Sequence, residues 1–502
     1  MDMDMDLDAD AFYRALQTRD PRLDGKVFVG VRSTGVYCRP ICPARTPKRE
    51  NVEFHLSAAS AQEAGFRPCL RCRPESSPDL GAWRGTSNTV SRALAMIEAG
   101  ALDGGDVEAL ADRLGVGERQ LRRLFRRHLG ASPVAVAQTR RVLLAKQLLH
   151  ETRLPMTEVA LASGFGSVRR FNETFQQLFD RPPAALRRQR VETYEGEGGA
   201  VTLRLSYRPP YDWPAMAAFL TERAIPGVET VSAERYARTL KVGDATGVVM
   251  VEPDEKDRLR VTAWFADLRA LPEVIRRVRR VFDLAADPQA IAAHLARDPV
   301  LAPRVAARPG LRAPGAWDAF ELAVRAVLGQ QVTVGAARGL AGRLAAAYGE
   351  PIEHPAAMGL GLSRLFPGPE QLMDRDVAAL GMPKARGAAV AALAAAAHAD
   401  PRLFDVGRTL EEAVARLRAL PGIGEWTAHY IALRALREPD AFPHADVGLL
   451  RALAGPDGQR PGPTELLARA EAWRPWRAYA AQHLWASPSA AGPEGSDDRR
   501  AA

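Results

Sequence analysis

All four cysteines of this 502-residue chain fall within one short stretch: Cys38-x3-Cys42, a gap of 26 residues, then Cys69-x2-Cys72. Two close pairs separated by a loop can bring four thiolates to one tetrahedral ion, and Zn2+ is the ion that such a set selects. This predicts a small α+β unit over 1–78, organised around a metal because a core of that size does not sustain itself. From spacing alone, a zinc that only staples the fold is the simplest reading. The 430 residues after Cys72 contain no thiol, so no disulfide framework is expected.

Charge then separates the next segment. The chain carries 68 Lys and Arg against 60 Asp and Glu. Residues 80–190 hold 18 basic and 10 acidic side chains, so the net excess of +8 is localised there. A basic block of this kind points to a polyanion, with nucleic acid first, the bland alternative being a solvated helical face.

The same block contains an internal repeat. VEALADRLGVGERQLRRLFRRHLGASP (107–133) matches TEVALASGFGSVRRFNETFQQLFDRPP (157–183), with Ala111/Ala160 and Gly115/Gly164 49 apart and Phe125/Phe175 and Pro133/Pro183 50 apart. Each copy reads as helix, Gly-containing turn, helix, so 80–190 is predicted to be an all-α double helix-turn-helix. Its second helices expose Arg119, Gln120, Arg122, Arg123 and Arg126 in the first copy. In the second copy the exposed residues are Ser167, Val168, Arg169, Arg170 and Asn172. Residues at the start of such a helix are the ones that reach base edges.

A polar, Gly-rich linker (191–199) leads to strand-like segments over 200–284, an α+β unit, and then to Ala/Leu/Arg-rich helices over 285–486, an all-α unit. The tail 487–502 reads as disordered. With 47% hydrophobic and 25% charged residues, the composition excludes a fibrous or mostly disordered chain. No apolar run reaches the length of a membrane span, and the acidic start MDMDMDLDAD is unlike a secretory signal, so a cytoplasmic protein is expected.

In the last unit, LPGIGEWTA (420–428) lies between helical patterns and reads as a helix-hairpin-helix. Gly422 and Gly424 let backbone amides approach a DNA phosphate. Asp446 follows Trp426 by 20 residues. Taken locally, it is a helix cap.

Three families are resembled. VRSTGVYCRPICPAR and AGFRPCLRCRPE resemble the N-terminal zinc domain of the Ada family. That implies that Cys38, Cys42, Cys69 and Cys72 bind Zn2+ and that Cys38 accepts a methyl group from DNA methyl phosphotriesters. Arg39, Arg45, Lys48, Arg67, Arg71 and Arg73 surround the site and are candidates to hold backbone phosphates, the bland alternative being solvated surface side chains. The two helix-turn-helix copies, joined by PVAVAQTRRVLLAKQLLHE, resemble the AraC-family DNA-binding domain.

PPYDWPAMAAFL, RPGLRAPGAWDAFELAVRAVLGQQVTV, ALGMPKARG and WRPWRAYAAQHLW resemble the AlkA family of 3-methyladenine DNA glycosylases across 200–486. The resemblance implies that Asp446 stabilises the oxocarbenium-like sugar and that Trp426, Tyr430 and Trp485 line the base pocket. It also puts Gln331 where that family inserts a Leu wedge. Trp426 occupies the position of the Schiff-base Lys of strand-cleaving relatives, so a monofunctional glycosylase is expected. No downstream cysteine serves an O6-methylguanine acceptor or an iron–sulfur cluster.

Together these readings imply a fusion that accepts methyl groups, activates transcription and excises alkylated bases. Its partners would be double-stranded DNA, at lesions and promoters, and RNA polymerase. The competing possibility is a transcription regulator that retains an inactive glycosylase fold as a binding module.

Overall fold

The computed structural model describes residues 9–78, 89–187, 200–405, 409–455 and 457–486. The predicted linker 191–199 and tail 487–502 lie outside the described residues. The multidomain architecture follows the sequence reading.

The first unit holds α1 (Ala9–Gln17), α2 (Ala58–Glu63) and a sheet ordered β3-β1-β2-β4, formed by β1 (Phe28–Val31), β2 (Val36–Cys38), β3 (Val52–His55) and β4 (Arg67–Pro68). β2 and β4 are parallel neighbours. Their C-terminal ends therefore deliver Cys38 and Cys69 side by side although 30 residues intervene in sequence. Phe28, Tyr37 and Phe66 fill the small core beneath.

Next come α3 (Thr89–Glu98), α4 (Val107–Arg113), α5 (Glu118–Leu129), α6 (Pro133–Glu151), α7 (Met156–Ala162) and α8 (Val168–Phe179). Asp106, Ser132 and Ser167 cap α4, α6 and α8 by accepting backbone N–H donors in the first turn. Gly115 and Gly164, at φ +68° and +81°, make the two turns that the repeat predicted. Leu121, Phe125 and Leu129 form the buried stripe of α5, and Phe171, Phe175 and Phe179 that of α8.

The next unit is a five-stranded antiparallel sheet ordered β5-β9-β8-β7-β6. Its strands are β5 (Val201–Ser206), β6 (Glu229–Val231), β7 (Tyr236–Val242), β8 (Ala245–Asp254) and β9 (Arg258–Phe265). Helices α9 (Trp213–Arg223) and α10 (Leu271–Val281) accompany them. The first helix-turn-helix has its own core. The second does not: Val159, Phe171 and Phe175 pack in one continuous core with Leu203, Val249 and Val261 of this sheet.

The helical unit comprises α11 (Pro288–Leu295), α12 (Leu301–Ala307), α13 (Ala319–Leu328), α14 (Val334–Tyr348), α15 (Pro355–Gly359), α16 (Pro369–Leu372), α17 (Lys384–Ala399), α18 (Leu410–Arg418), α19 (Glu425–Arg434), α20 (Val447–Ala452), α21 (Pro463–Ala470) and α22 (Arg477–Trp485). One core gathers α13, α14 and α17–α19, and a second gathers α11, α12 and α20–α22. Buried ion pairs join α13 to the sheet: Arg238 to Glu321 at 2.7 Å and Arg325 to Glu229 at 3.0 Å. Among the described residues, no helix is long and apolar enough to cross a membrane.

Candidate metal centre, DNA-reading helices and excision pocket

The four cysteine Sγ atoms lie within 4.8 Å of one another, all buried. A tetrahedral tetrathiolate zinc, with bonds of about 2.3 Å, has sulfurs roughly 3.8 Å apart, inside this limit. Without a cation the sulfurs must share protons. Hydrogen bonding from Cys42, Cys69 and Cys72, and then burial, pushes the Cys38 thiol far above its usual range. A divalent ion that replaces those shared protons removes the conflict, so the donor set fits Zn2+. The backbone N–H of Arg39 donates to Cys72 Sγ and that of Arg71 to Cys69 Sγ, both at 3.4 Å. Such bonds withdraw electron density from a thiolate. Among the described residues no such N–H bond is made to Cys38 Sγ.

The basic residues expected around the centre divide into two groups. Arg45, Lys48 and Arg71 are exposed and Arg67 is half-buried. Arg39 is tied to Asp24 and to Ser76 Oγ (2.8 Å), and Arg73 to Glu75 (3.1 Å) and Glu151 of α6 (2.6 Å). A phosphate would have to compete with those carboxylates. The sequence reading missed Lys146. This fully buried α6 residue donates to the Cys69 carbonyl at 3.0 Å and to Glu75 at 2.5 Å, docking the reading helices on the metal unit.

On α5, Arg119, Arg122 and Arg123 are exposed and Gln120 is half-buried. Arg126, also exposed, pairs with Glu63 of α2 at 2.5 Å, which gives it a docking role. On α8, the Ser167 hydroxyl accepts the Arg170 N–H, Arg169 pairs with Glu173, and Arg170 and Asn172 are exposed.

The hairpin joins α18 to α19. Gly422 has φ +79°, and a Cβ there would stand 2.5 Å from the Ala389 Cβ. Gly424, the N-cap of α19, has φ −81° and open space where its Cβ would be, room that a phosphate could use. Gly422→Ala is therefore expected to destabilise the protein by roughly 2–4 kcal/mol in denaturant titration, and Gly424→Ala by only about 1 kcal/mol. Gly424→Ala should still weaken DNA binding. Equal stability losses for the two variants would contradict this assignment.

Gln331 sits exposed at φ +57° in the turn between α13 and α14. Its neighbour Gln330, not anticipated from sequence, donates to the Gly422 carbonyl (2.8 Å) and to Thr427 Oγ1 (3.2 Å), bracing this loop against the hairpin.

Asp446 is buried and does cap α20, its Oδ1 accepting the Leu449 N–H at 2.9 Å. It is more than a cap. The indole N–H of Trp485 donates to Oδ1 and that of Trp426 to Oδ2, each at 2.9 Å. These indole bonds fix the plane of the carboxylate. Gly448 leaves room for this, since a Cβ there would come within 3.0 Å of Asp446 Oδ1.

The Trp426 and Tyr430 rings stack at 5.3 Å and 9°, with Trp485 edge-on to Tyr430 at 6.5 Å. Trp426 and Tyr430 line a cavity together with Phe219 of α9, Trp317 and Arg434, whereas Asp446 meets it through Trp426 and Trp485 through Tyr430. Phe219 and Arg434 were not legible in the sequence: Phe219 lies in another unit, and Arg434 reads as a helix-surface cation.

Comparison with known proteins follows this order of units. A model of the metal-binding domain of Ada matches residues 11–75, a helix-turn-helix domain model matches 110–189, and an AlkA N-terminal domain model matches 202–318. The first match and the four-thiolate geometry together assign Zn2+ to the centre. DNA-3-methyladenine glycosylase 2 of Escherichia coli is 38% identical over 286 residues, 56% of this chain and 95% of that protein. The bifunctional transcriptional activator/DNA repair enzyme Ada of Escherichia coli is 35% identical over 156 residues, 31% of this chain and 42% of that protein.

The "Probable bifunctional transcriptional activator/DNA repair enzyme AlkA" of Mycobacterium tuberculosis is 44% identical over 480 residues, 94% of this chain and 95% of that protein. Since that similarity runs from the zinc centre to the excision pocket, the chain belongs to the AlkA-type family of bifunctional transcriptional activator/DNA repair enzymes.

Proposed function

We propose that this protein couples a record of DNA methylation to its repair. It takes a methyl group from a DNA methyl phosphotriester onto Cys38, activates transcription through its double helix-turn-helix, and hydrolyses the glycosidic bond of alkylated bases such as 3-methyladenine. One observation carries the excision half: a buried carboxylate, Asp446, held by two indole N–H groups beside a stacked aromatic wall. An extruded cationic purine stacks on such a wall and is attracted to the ring faces. A carboxylate fixed beside the sugar favours the positive charge that develops there. With Trp426 where a Schiff-base Lys would stand, the reading is monofunctional excision without strand cleavage.

In the zinc centre, bound Zn2+ keeps the sulfurs deprotonated at neutral pH. The Cys38 sulfur attacks the methyl carbon, the C–O bond breaks, and the phosphodiester leaves as an anion. The exposed Arg45, Lys48 and Arg71 would hold flanking phosphates. Methylation removes one negative charge from the centre, which lowers repulsion from DNA and strengthens operator binding. RNA polymerase is the downstream partner of an activator of this kind. The chromosome's compartment, the cytoplasm, is where all three activities find their substrate. The buried Asp446, clamped by two indole N–H groups beside an aromatic wall, speaks against an inactive glycosylase retained only for binding.

The test uses full-length protein and duplex DNA carrying both lesions. Chromatography is expected to detect free 3-methyladenine, and peptide mass spectrometry is expected to find S-methylcysteine at position 38 alone. Base release without methyl-cysteine would remove the first half of the proposal, and the converse result the second.

A further inference from the structure

The cavity that Trp426 and Tyr430 line also holds a cation that the mechanism above does not use. Arg434, at the end of α19, is 2% exposed. Its guanidinium carbon lies 4.7 Å from the Phe219 ring centroid, 5.2 Å from that of Trp485 and 5.7 Å from that of Tyr430. Its hydrogen-bond acceptors are neutral: the Pro314 carbonyl and Gln482 Oε1, each at 2.9 Å. Among the described residues its Nε has no partner. The cavity's other buried charges are matched in pairs, Arg238 with Glu321 and Arg325 with Glu229. Burial lowers the Arg434 guanidinium to about 10, so it remains a cation at neutral pH.

A fixed positive charge beside rings that receive a cationic base is unfavourable for holding that base. Its sign becomes useful once the bond breaks. When the C1′–N bond cleaves, its electron pair passes to the base, which becomes more negative by one unit whatever its starting charge, and the sugar becomes positive. Water then adds its oxygen to C1′, and its proton goes to solvent for a cationic base or to the departing nitrogen for a neutral one. Asp446 meets Trp426 and Trp485 at their indole N–H groups, whereas Arg434 lies over the rings of Phe219, Tyr430 and Trp485.

We propose that Arg434 is a specificity-determining and positioning residue for excision. Together with Asp446 it forms a push–pull pair aligned with the charge that moves from sugar to base, so that it weakens ground-state capture of cationic bases and speeds departure of cationic and neutral bases alike. This rests on the excision reading above.

The experiment is single-turnover excision of 7-methylguanine, which is cationic, and hypoxanthine, which is neutral, by wild type, R434K and R434M. For R434M the rate constant should fall about tenfold for both bases, as expected for loss of a unit charge several ångströms from the reacting centre. Its half-saturating concentration should fall several-fold for the cationic base and stay unchanged for the neutral one. R434K should behave like wild type.

A purely structural role would slow excision and weaken binding of both bases together, which overturns the proposal, as does an R434M rate equal to wild type. A second arm needs no variant: wild-type binding to duplexes with uncleavable 2′-fluoro 7-methylguanine and 2′-fluoro guanine. Comparable affinities support the proposal, and a tenfold preference for the cation overturns it. Release of neither base by wild type would fail the excision reading itself, while the binding arm would still judge Arg434.

Discussion

Asp446→Asn is expected to slow release of 3-methyladenine from duplex DNA by at least about 10²–10³, the usual loss when one well-placed electrostatic group is removed from a transition state. The substitution keeps the side-chain shape, and its amide oxygen can still accept one indole N–H. It cannot keep both, because the amide nitrogen would face a donor at one of the two 2.9 Å contacts now made by Trp426 and Trp485. The lost charge and the broken clamp therefore act together on the chemical step. DNA affinity should change little, since the phosphate contacts proposed for the hairpin come from backbone amides around Gly424 and not from the Asp446 carboxylate. Single-turnover release measured beside a binding titration separates these effects. Near-normal excision by the Asn variant would reduce Asp446 to its capping role on α20.

Cys38→Ala is expected to abolish methyl uptake while base excision stays within about threefold of wild type, a change corresponding to less than 1 kcal/mol. Cys42, Cys69 and Cys72 remain to hold the metal. The contacts that dock the zinc unit, Lys146 with Glu75 and Arg126 with Glu63, do not involve Cys38. A serine control addresses whether oxygen at this position can substitute for sulfur, and none of the methyl group is expected on it. Methyl-cysteine appearing at another position of the Ala variant would move the nucleophile to a neighbouring sulfur. Loss of excision in a folded Ala variant would show that the two chemistries are not independent.

What could be read from sequence was governed by local rules. The two Cys pairs, the duplicated Gly-containing turns and the Pro-Gly-Ile-Gly hairpin each depend on residues a few positions apart, and the structure reproduces all three. The dual nature of Asp446 lay at the edge of that range. Its cap on Leu449 is local, and Trp426 was visible 20 residues before it, but the role of both indoles as donors follows only from how α19, α20 and α22 meet.

Beyond that range the signal was absent. Phe219 reaches the pocket from α9, and nothing in the periodicity of either segment announces the meeting. Lys146 has the appearance of a solvent-facing lysine, and only the partner surface of the zinc unit makes it a buried contact. Arg126 shows the opposite substitution of roles: an arginine of a DNA-reading helix is engaged by a carboxylate of the same chain. In each case tertiary contact decided what residue type and spacing had left open.

The continuous core beneath α7, α8 and the five-stranded sheet has a consequence for how this molecule can be taken apart. A cut in the polar stretch between 187 and 200 would seem to part a regulator from an enzyme, yet each fragment would carry away half of a common interior. Phe171 and Phe175 would lose Val261 and Leu203 as neighbours, and both pieces would present a bare apolar face. Such halves should seek each other when mixed and elute together in gel filtration. In this protein the reader and the excision machinery are inseparable for the same reason that the two sides of any hydrophobic core are.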